Sequence, residues 1–125
     1  MKKTLVLLFL ITSLVACKAQ TTQVVKVVDV TTFKKGISKK DVQLIDVRTP
    51  AEFKQGYIEN AILIDYKAEN FKTKVQELDK DKPVYLYCRS GRRSAFASTI
   101  LKDLGFKEIV DLEGGYLAWS KTMKK

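Results

Sequence analysis

Val84-Tyr85-Leu86-Tyr87-Cys88-Arg89-Ser90-Gly91-Arg92-Arg93-Ser94 is the stretch that decides how this chain is read. Val84 to Tyr87 is a short apolar run of strand type, and Ser94 to Leu104 carries Phe96, Ile100 and Leu104 at helical spacing. A cysteine at the end of a strand, ahead of a short loop and a helix N-terminus, meets backbone N–H groups and the positive end of a helix dipole. Those features favour the thiolate, which is the nucleophilic form. The chain has four arginines, and three of them (Arg89, Arg92, Arg93) are in this loop. The pattern suits sulfur chemistry on an anionic partner.

The flanking sequence is regular. Val24 to Val28, Val42 to Val47, Ala61 to Ile64, Val84 to Tyr87 and Glu108 to Leu112 read as five strands. Between and after them, Thr31 to Gly36 reads as a brief helical turn, Thr49 to Phe53 as a short helix, and Ala68 to Leu78, Ser94 to Leu104 and Gly115 to Lys121 as helices. Thr49 suits an N-cap, Pro50 the first helical position, Gly105 a C′ glycine, and Trp119 the core. Strands alternating with helices predict one α/β domain around a central parallel five-stranded sheet, with helices on both faces. In such sheets sites lie at the carboxyl ends of the strands, where Cys88 falls.

The first residues have a different character. Lys2-Lys3 precedes an apolar run, Leu5 to Leu14, that is too short to span a bilayer as a helix. Leu14-Val15-Ala16-Cys17 has the pattern of a bacterial lipobox, so residues 1–16 read as a lipoprotein signal peptide. Cys17 is then the lipidated first residue, and residues 17–23 a polar tether. The alternative is ordinary cleavage after Ala19. Both readings place the protein outside the cytoplasm, and the first anchors it to a bacterial membrane facing the periplasm.

Cys17 is acylated or removed, which leaves Cys88 as a single thiol with no intramolecular disulfide partner. The chain has no histidine, so triads and histidine-ligated zinc have no candidates, and no metal or cofactor is expected. The net charge of +9 comes mostly from scattered lysines without an aromatic-interleaved motif. That distribution suits solvated helix faces rather than nucleic acid. A single domain of this size makes a monomer the default.

Three separated segments resemble the rhodanese family of sulfurtransferases. Leu44-Ile45-Asp46-Val47-Arg48 with Glu52-Phe53, continuing to Gly56-Tyr57-Ile58-Glu59-Asn60-Ala61, is similar to the family's first signature. Cys88 to Ser94 resembles its active-site loop, and Leu112-Glu113-Gly114-Gly115 with Trp119 its C-terminal signature. The likeness covers about residues 24–123. One departure is Tyr57, where the family usually has histidine near the domain surface.

The resemblance implies that Cys88 takes a sulfane sulfur from a donor such as thiosulfate, forming a persulfide, and passes it to cyanide or a thiol. It implies a cradle for that sulfur made by Arg89, Ser90, Gly91, Arg92, Arg93 and Ser94, with Asp46 and Arg48 as a supporting pair. Several roles stay open at this level. Arg93 either orients an oxyanion or pairs with Glu52 or Asp46, Arg89 either binds donor or is a solvated charge, and Ser94 is either a helix cap or a hydroxyl donor. A persulfide carrier and a phosphatase or arsenate reductase on the same fold are the alternatives. The latter use a loop one residue longer, with Arg at the position that Ser94 occupies here.

Overall fold

The computed structural model describes residues 23–124; the expected signal segment, Cys17 and the tether up to residue 22 lie outside the described residues. Strands β1 (Val25–Val28), β2 (Gln43–Asp46), β3 (Ile62–Leu63), β4 (Val84–Tyr87) and β5 (Ile109–Leu112) alternate with helices α1 (Val30–Ile37), α2 (Pro50–Lys54), α3 (Phe71–Val75), α4 (Arg92–Asp103) and α5 (Gly115–Met123). The five strands form one sheet in the order β1-β5-β4-β2-β3, and every pairing is parallel.

All four residues of β4 are buried, as are all four of β5, which explains why neither strand alternates with polar residues. Val84, Leu86 and Cys88 face one layer, with Phe71 and Val75 of α3 and Ala97 and Leu101 of α4. Tyr85, Tyr87, Val110 and Leu112 face the other, with Phe33 of α1 and Trp119 of α5. Each fully buried side chain of this size contributes about 1.5–3 kcal/mol, so the two layers pin the register of the central strands.

Local chemistry sets the element ends. Thr49 accepts the Glu52 backbone N–H at 3.3 Å and Pro50 follows at the first helical position, so α2 starts as the sequence predicts. At the end of α4, Gly105 adopts φ +93° and donates its N–H to Lys102 at 3.0 Å, while the Phe106 N–H reaches Leu101 at 3.2 Å. That double closure buries Phe106 beneath the helix end.

Five expectations need correcting. Helix α1 runs from Val30 to Ile37 because Asp29 caps it, accepting the Thr32 N–H at 2.8 Å. Helix α3 covers Phe71–Val75 rather than Ala68 to Leu78, and β3 is two residues long. Helix α4 begins at Arg92, two residues before Ser94, because Gly91 (φ +114°) forms its N-cap. The buried face of α4 is Ser94, Ala97, Ser98 and Leu101, while Phe96 is exposed and stacks on Tyr66 at 6.5 Å between ring centroids. Small residues are what let the start of α4 sit close to the sheet over Cys88.

Candidate active site

Strand β4 delivers Cys88 to the carboxyl edge of the sheet, and the chain then turns through Arg89 and Ser90 into Gly91. The cysteine is only 1 % exposed. The Gly91 backbone N–H donates to its Sγ at 3.0 Å, and Sγ lies 3.4 Å from the Ser94 hydroxyl, which in turn donates to the Gly91 carbonyl at 3.2 Å. A backbone donor and the positive end of the twelve-residue α4 thus converge on one sulfur atom. Ser94 is the third residue of α4, not its cap: its Oγ accepts from the Cys88 S–H and donates its own proton to the Gly91 carbonyl.

The loop is held from behind by α5. The N–H groups of Tyr116 and Leu117 have no partners inside their own helix, and they donate to the Cys88 and Arg89 carbonyls at 2.8 and 3.0 Å. With those carbonyls held by α5, the turn that follows brings the Gly91 N–H onto the sulfur. Gly115 makes this approach feasible: a Cβ there would lie 2.5 Å from the Cys88 carbonyl oxygen and 2.6 Å from the Arg89 carbonyl, at a φ of +58°. The Gly114-Gly115 pair is therefore part of the site without presenting any side chain.

The arginines divide by role. Arg93 makes a bidentate pair with Glu52, each bond 2.9 Å, tying α4 to α2. The bond from Arg93 holds the Glu52 carboxyl below the usual carboxylate range, against its partial burial, and Glu52 in turn keeps Arg93 protonated. Arg89 and Arg92 are exposed and form no ion pair with a described residue. They remain the cations available to an incoming anion at the loop.

Asp46 and Arg48 lie fully inside, 0 % and 3 % exposed, joined at 2.7 Å. Burial works against the Arg48 charge, but the Asp46 hydrogen bond and charge outweigh it and raise its pKa. Arg48 also donates to the Gly56 carbonyl at 2.6 Å and stacks 4.2 Å over the Tyr116 ring. The pair thus braces β2 against α5, the helix behind the loop. Tyr87, whose hydroxyl accepts the Ile58 N–H at 3.0 Å, has its pKa raised, chiefly by burial.

One residue near the sulfur went unread in the sequence. Asp111 in β5 is 3 % exposed, its Oδ1 has no hydrogen-bond partner among the described residues, and burial pushes its pKa up to about 6 against the pull of the Ser94 hydroxyl and the Leu112 N–H. A lone carboxylate inside Ile109-Val110-Asp111-Leu112 was the signal available. By contrast, a cavity of about 620 Å³ lined by Lys34, Tyr57, Trp119 and Met123 includes none of the residues from Cys88 to Ser94.

With this geometry in hand, comparison with known proteins is specific. The model of the rhodanese-like domain matches residues 29–122. The chain belongs to the rhodanese-like domain family. This rhodanese-like domain is 39% identical over 82 residues to a sulfurtransferase of Allochromatium vinosum, spanning 66% of this chain and 75% of that protein. It is 42% identical over 102 residues to a putative mitochondrial thiosulfate sulfurtransferase of Schizosaccharomyces pombe, covering 73% and 72% of the two chains. A tRNA uridine(34) hydroxylase of Chlamydia felis is 36% identical over 86 residues, covering 64% of this chain and 26% of that protein. Among solved structures, a rhodanese-related protein from Thermoplasma volcanium superposes with a TM-score of 0.68 at 33% identity, over 78% of this rhodanese-like chain and 92% of the other.

Proposed function

We propose that this protein is a sulfurtransferase that carries sulfane sulfur on Cys88, taken from a compact anionic donor such as thiosulfate and passed to a thiol or cyanide. The observation that carries the reading is the Cys88 sulfur set beneath the start of α4 with the Gly91 N–H on it at 3.0 Å. The sulfurtransferases among the relatives support the reaction class. The Cys88 thiolate attacks the outer sulfur of thiosulfate and forms the new S–S bond. The old S–S bond breaks, and sulfite leaves with its electron pair. The persulfide anion has the same single charge as the thiolate it replaces and rests against the same loop amides. Exposed Arg89 and Arg92 draw the donor in, while Arg93 keeps the loop in place through Glu52. Arg93 is engaged with Glu52 rather than left for a phosphate or arsenate, which favours sulfur over those anions.

We further propose that the protein works as a monomer outside the cytoplasm, anchored through acylated Cys17. The lipobox-like Leu14-Val15-Ala16-Cys17 supports the anchor. No helix among the described residues is long and apolar enough to cross a membrane.

The test is to incubate the full chain, in detergent, with thiosulfate, follow its intact mass, and add cyanide to release thiocyanate. One sulfur atom gained by the wild type and none by Cys88→Ser is the expected result. Failure of the wild type to gain sulfur from thiosulfate, a polysulfide or glutathione persulfide would overturn the reading.

A further inference from the structure

Sulfur transfer at Cys88 makes no use of the cavity in the opposite layer of the molecule. Its volume of about 620 Å³ is within the range of small-molecule sites. It lies between the C-terminal halves of α1 and α5, the start of β2 and the segment from Tyr57 to Ile62. Leu44, Ile58 and Trp119 form its buried wall. Phe33 meets the Trp119 ring edge-on, at 6.5 Å between centroids, so the wall is set by core packing. The rim is apolar as well. Six large apolar residues are exposed among the described ones, and three of them, Tyr57, Ile62 and Met123, line this cavity. Such residues scattered singly need no explanation, but three gathered around one concavity mark a binding surface.

The polar lining groups divide into two sets. Ser38 donates to the Lys35 carbonyl at 2.7 Å, and Gln43 exchanges bonds with the Asp79 backbone at 2.8 and 2.7 Å, so both are satisfied within the chain. Lys34 and Glu59 line the cavity and form no ion pair with a described residue. Their neighbours tip the balance of charge. Residues 30–40 carry four lysines and no acid, and residues 115–124 two lysines and no acid. Lys39 and Lys40 lie between the lining residues Ser38 and Val42, and Lys121 between Trp119 and Met123. None of these six lysines pairs with a described carboxylate. A low-dielectric concavity bordered by one sign of charge concentrates ions of the other.

We propose that this cavity is a second ligand site, one that takes a free amphipathic carboxylate. The apolar chain or ring of the ligand sits against Leu44, Ile58 and Trp119, and its anionic head meets Lys34 at the mouth. Burial of the apolar body supplies the binding, and the cation selects the head group. Lys34 is a compact charge on a flexible stem, so it follows the heads of ligands that differ in length. The site therefore takes a chemical class rather than one molecule. A compact anion such as thiosulfate has no apolar body to seat there, which separates the ligands of this site from the donor proposed for Cys88. The inference does not depend on Cys88 being the nucleophile.

Trp119 is the only tryptophan of the chain, so its fluorescence reports on the cavity directly. The experiment titrates the full chain, held in zwitterionic lipid nanodiscs at neutral pH, with ω-bromo-octanoate, whose bromine quenches a neighbouring indole. Saturable quenching, reversed by unbrominated octanoate and absent with the brominated octyltrimethylammonium analogue, is the expected result. Lys34→Gln is expected to raise the Kd about threefold, as for loss of one exposed ion pair. Ile62→Asp, at an exposed strand position whose change spares the core, is expected to raise it about tenfold. Quenching that does not saturate would overturn the proposal, as would equal quenching by the ammonium analogue or a Kd unchanged in both variants. A Trp119 signal that responds to phosphatidylglycerol in the nanodisc but not to octanoate would overturn it too, and would assign the patch to a membrane surface. Sulfur uptake by Lys34→Gln is expected to equal that of the wild type. Fluorescence needs no sulfur donor, so failure of the sulfurtransferase reading and failure of this one register separately.

Discussion

Cys88 is so deeply placed that reagents are selected by shape before chemistry. A thiol in purely apolar surroundings would be inert. Here the Gly91 N–H donates to the sulfur and Ser94 Oγ accepts its S–H, so a slender reagent arriving through the loop finds a polarised nucleophile. Arg93 is the residue that keeps the loop shaped for this. Glu52→Gln replaces a partly buried, bidentate ion pair with a weaker hydrogen bond, and is expected to lower stability by about 1–2 kcal/mol and sulfur uptake more than tenfold. Urea unfolding and the thiosulfate reaction measure the two effects. Asp111 acts with the opposite sign. Its carboxyl has an ordinary value of 3.8 when unfolded and about 6 when folded, so the folded state is unpenalised below the first value and loses stability as pH rises through the second. The total loss is on the order of 2–3 kcal/mol. Asp111→Asn is therefore expected to be more stable than the wild type by about 2 kcal/mol at neutral pH, with the gain vanishing towards pH ~4 in urea titrations.

At the scale of elements, the junction of β4, its loop and the start of α5 is the working unit. Gly115→Ala places a methyl within 2.6 Å of two carbonyl groups and demands a φ of +58°. The expected result is a loss of about 2–4 kcal/mol, by thermal unfolding, together with loss of sulfur uptake. Much of this unit was legible in the sequence, because strand, cysteine, arginine loop and paired glycines are each local patterns. The partner of Gly114-Gly115 was not, since nothing local says that the carbonyls of Cys88 and Arg89 satisfy the first amides of α5. Helix α4 shows the complementary difficulty. Phe96, Ile100 and Leu104 have helical spacing, yet the packed face is Ser94, Ala97, Ser98 and Leu101. Close approach over the sulfur rewards small side chains there, and a hydrophobicity pattern does not register size. Asp111 was missed for a related reason: a strand with three apolar residues of four reads as a strand, and its one acid goes unnoticed.

For the whole molecule, the acid side of the stability curve is set by opposing carboxylates. Glu52 is held below its ordinary range, so its contribution is present above the unfolded value and disappears as pH falls through the folded one, while Asp111 gains in the same direction. The proposed membrane anchor has its own test. Fatty-acid labelling in a bacterial host is expected to mark the wild type and not Cys17→Ala; label retained in the variant would remove the lipoprotein reading. The binding of the cysteine loop by α5 also has a consequence for synthesis. Cys88 leaves the ribosome before Gly115, Tyr116 and Leu117 exist, so the nascent chain carries its thiol for a time without the amides that turn the loop. The nucleophile is assembled only after its last helix is made, which keeps an unfinished chain from presenting a working sulfur site.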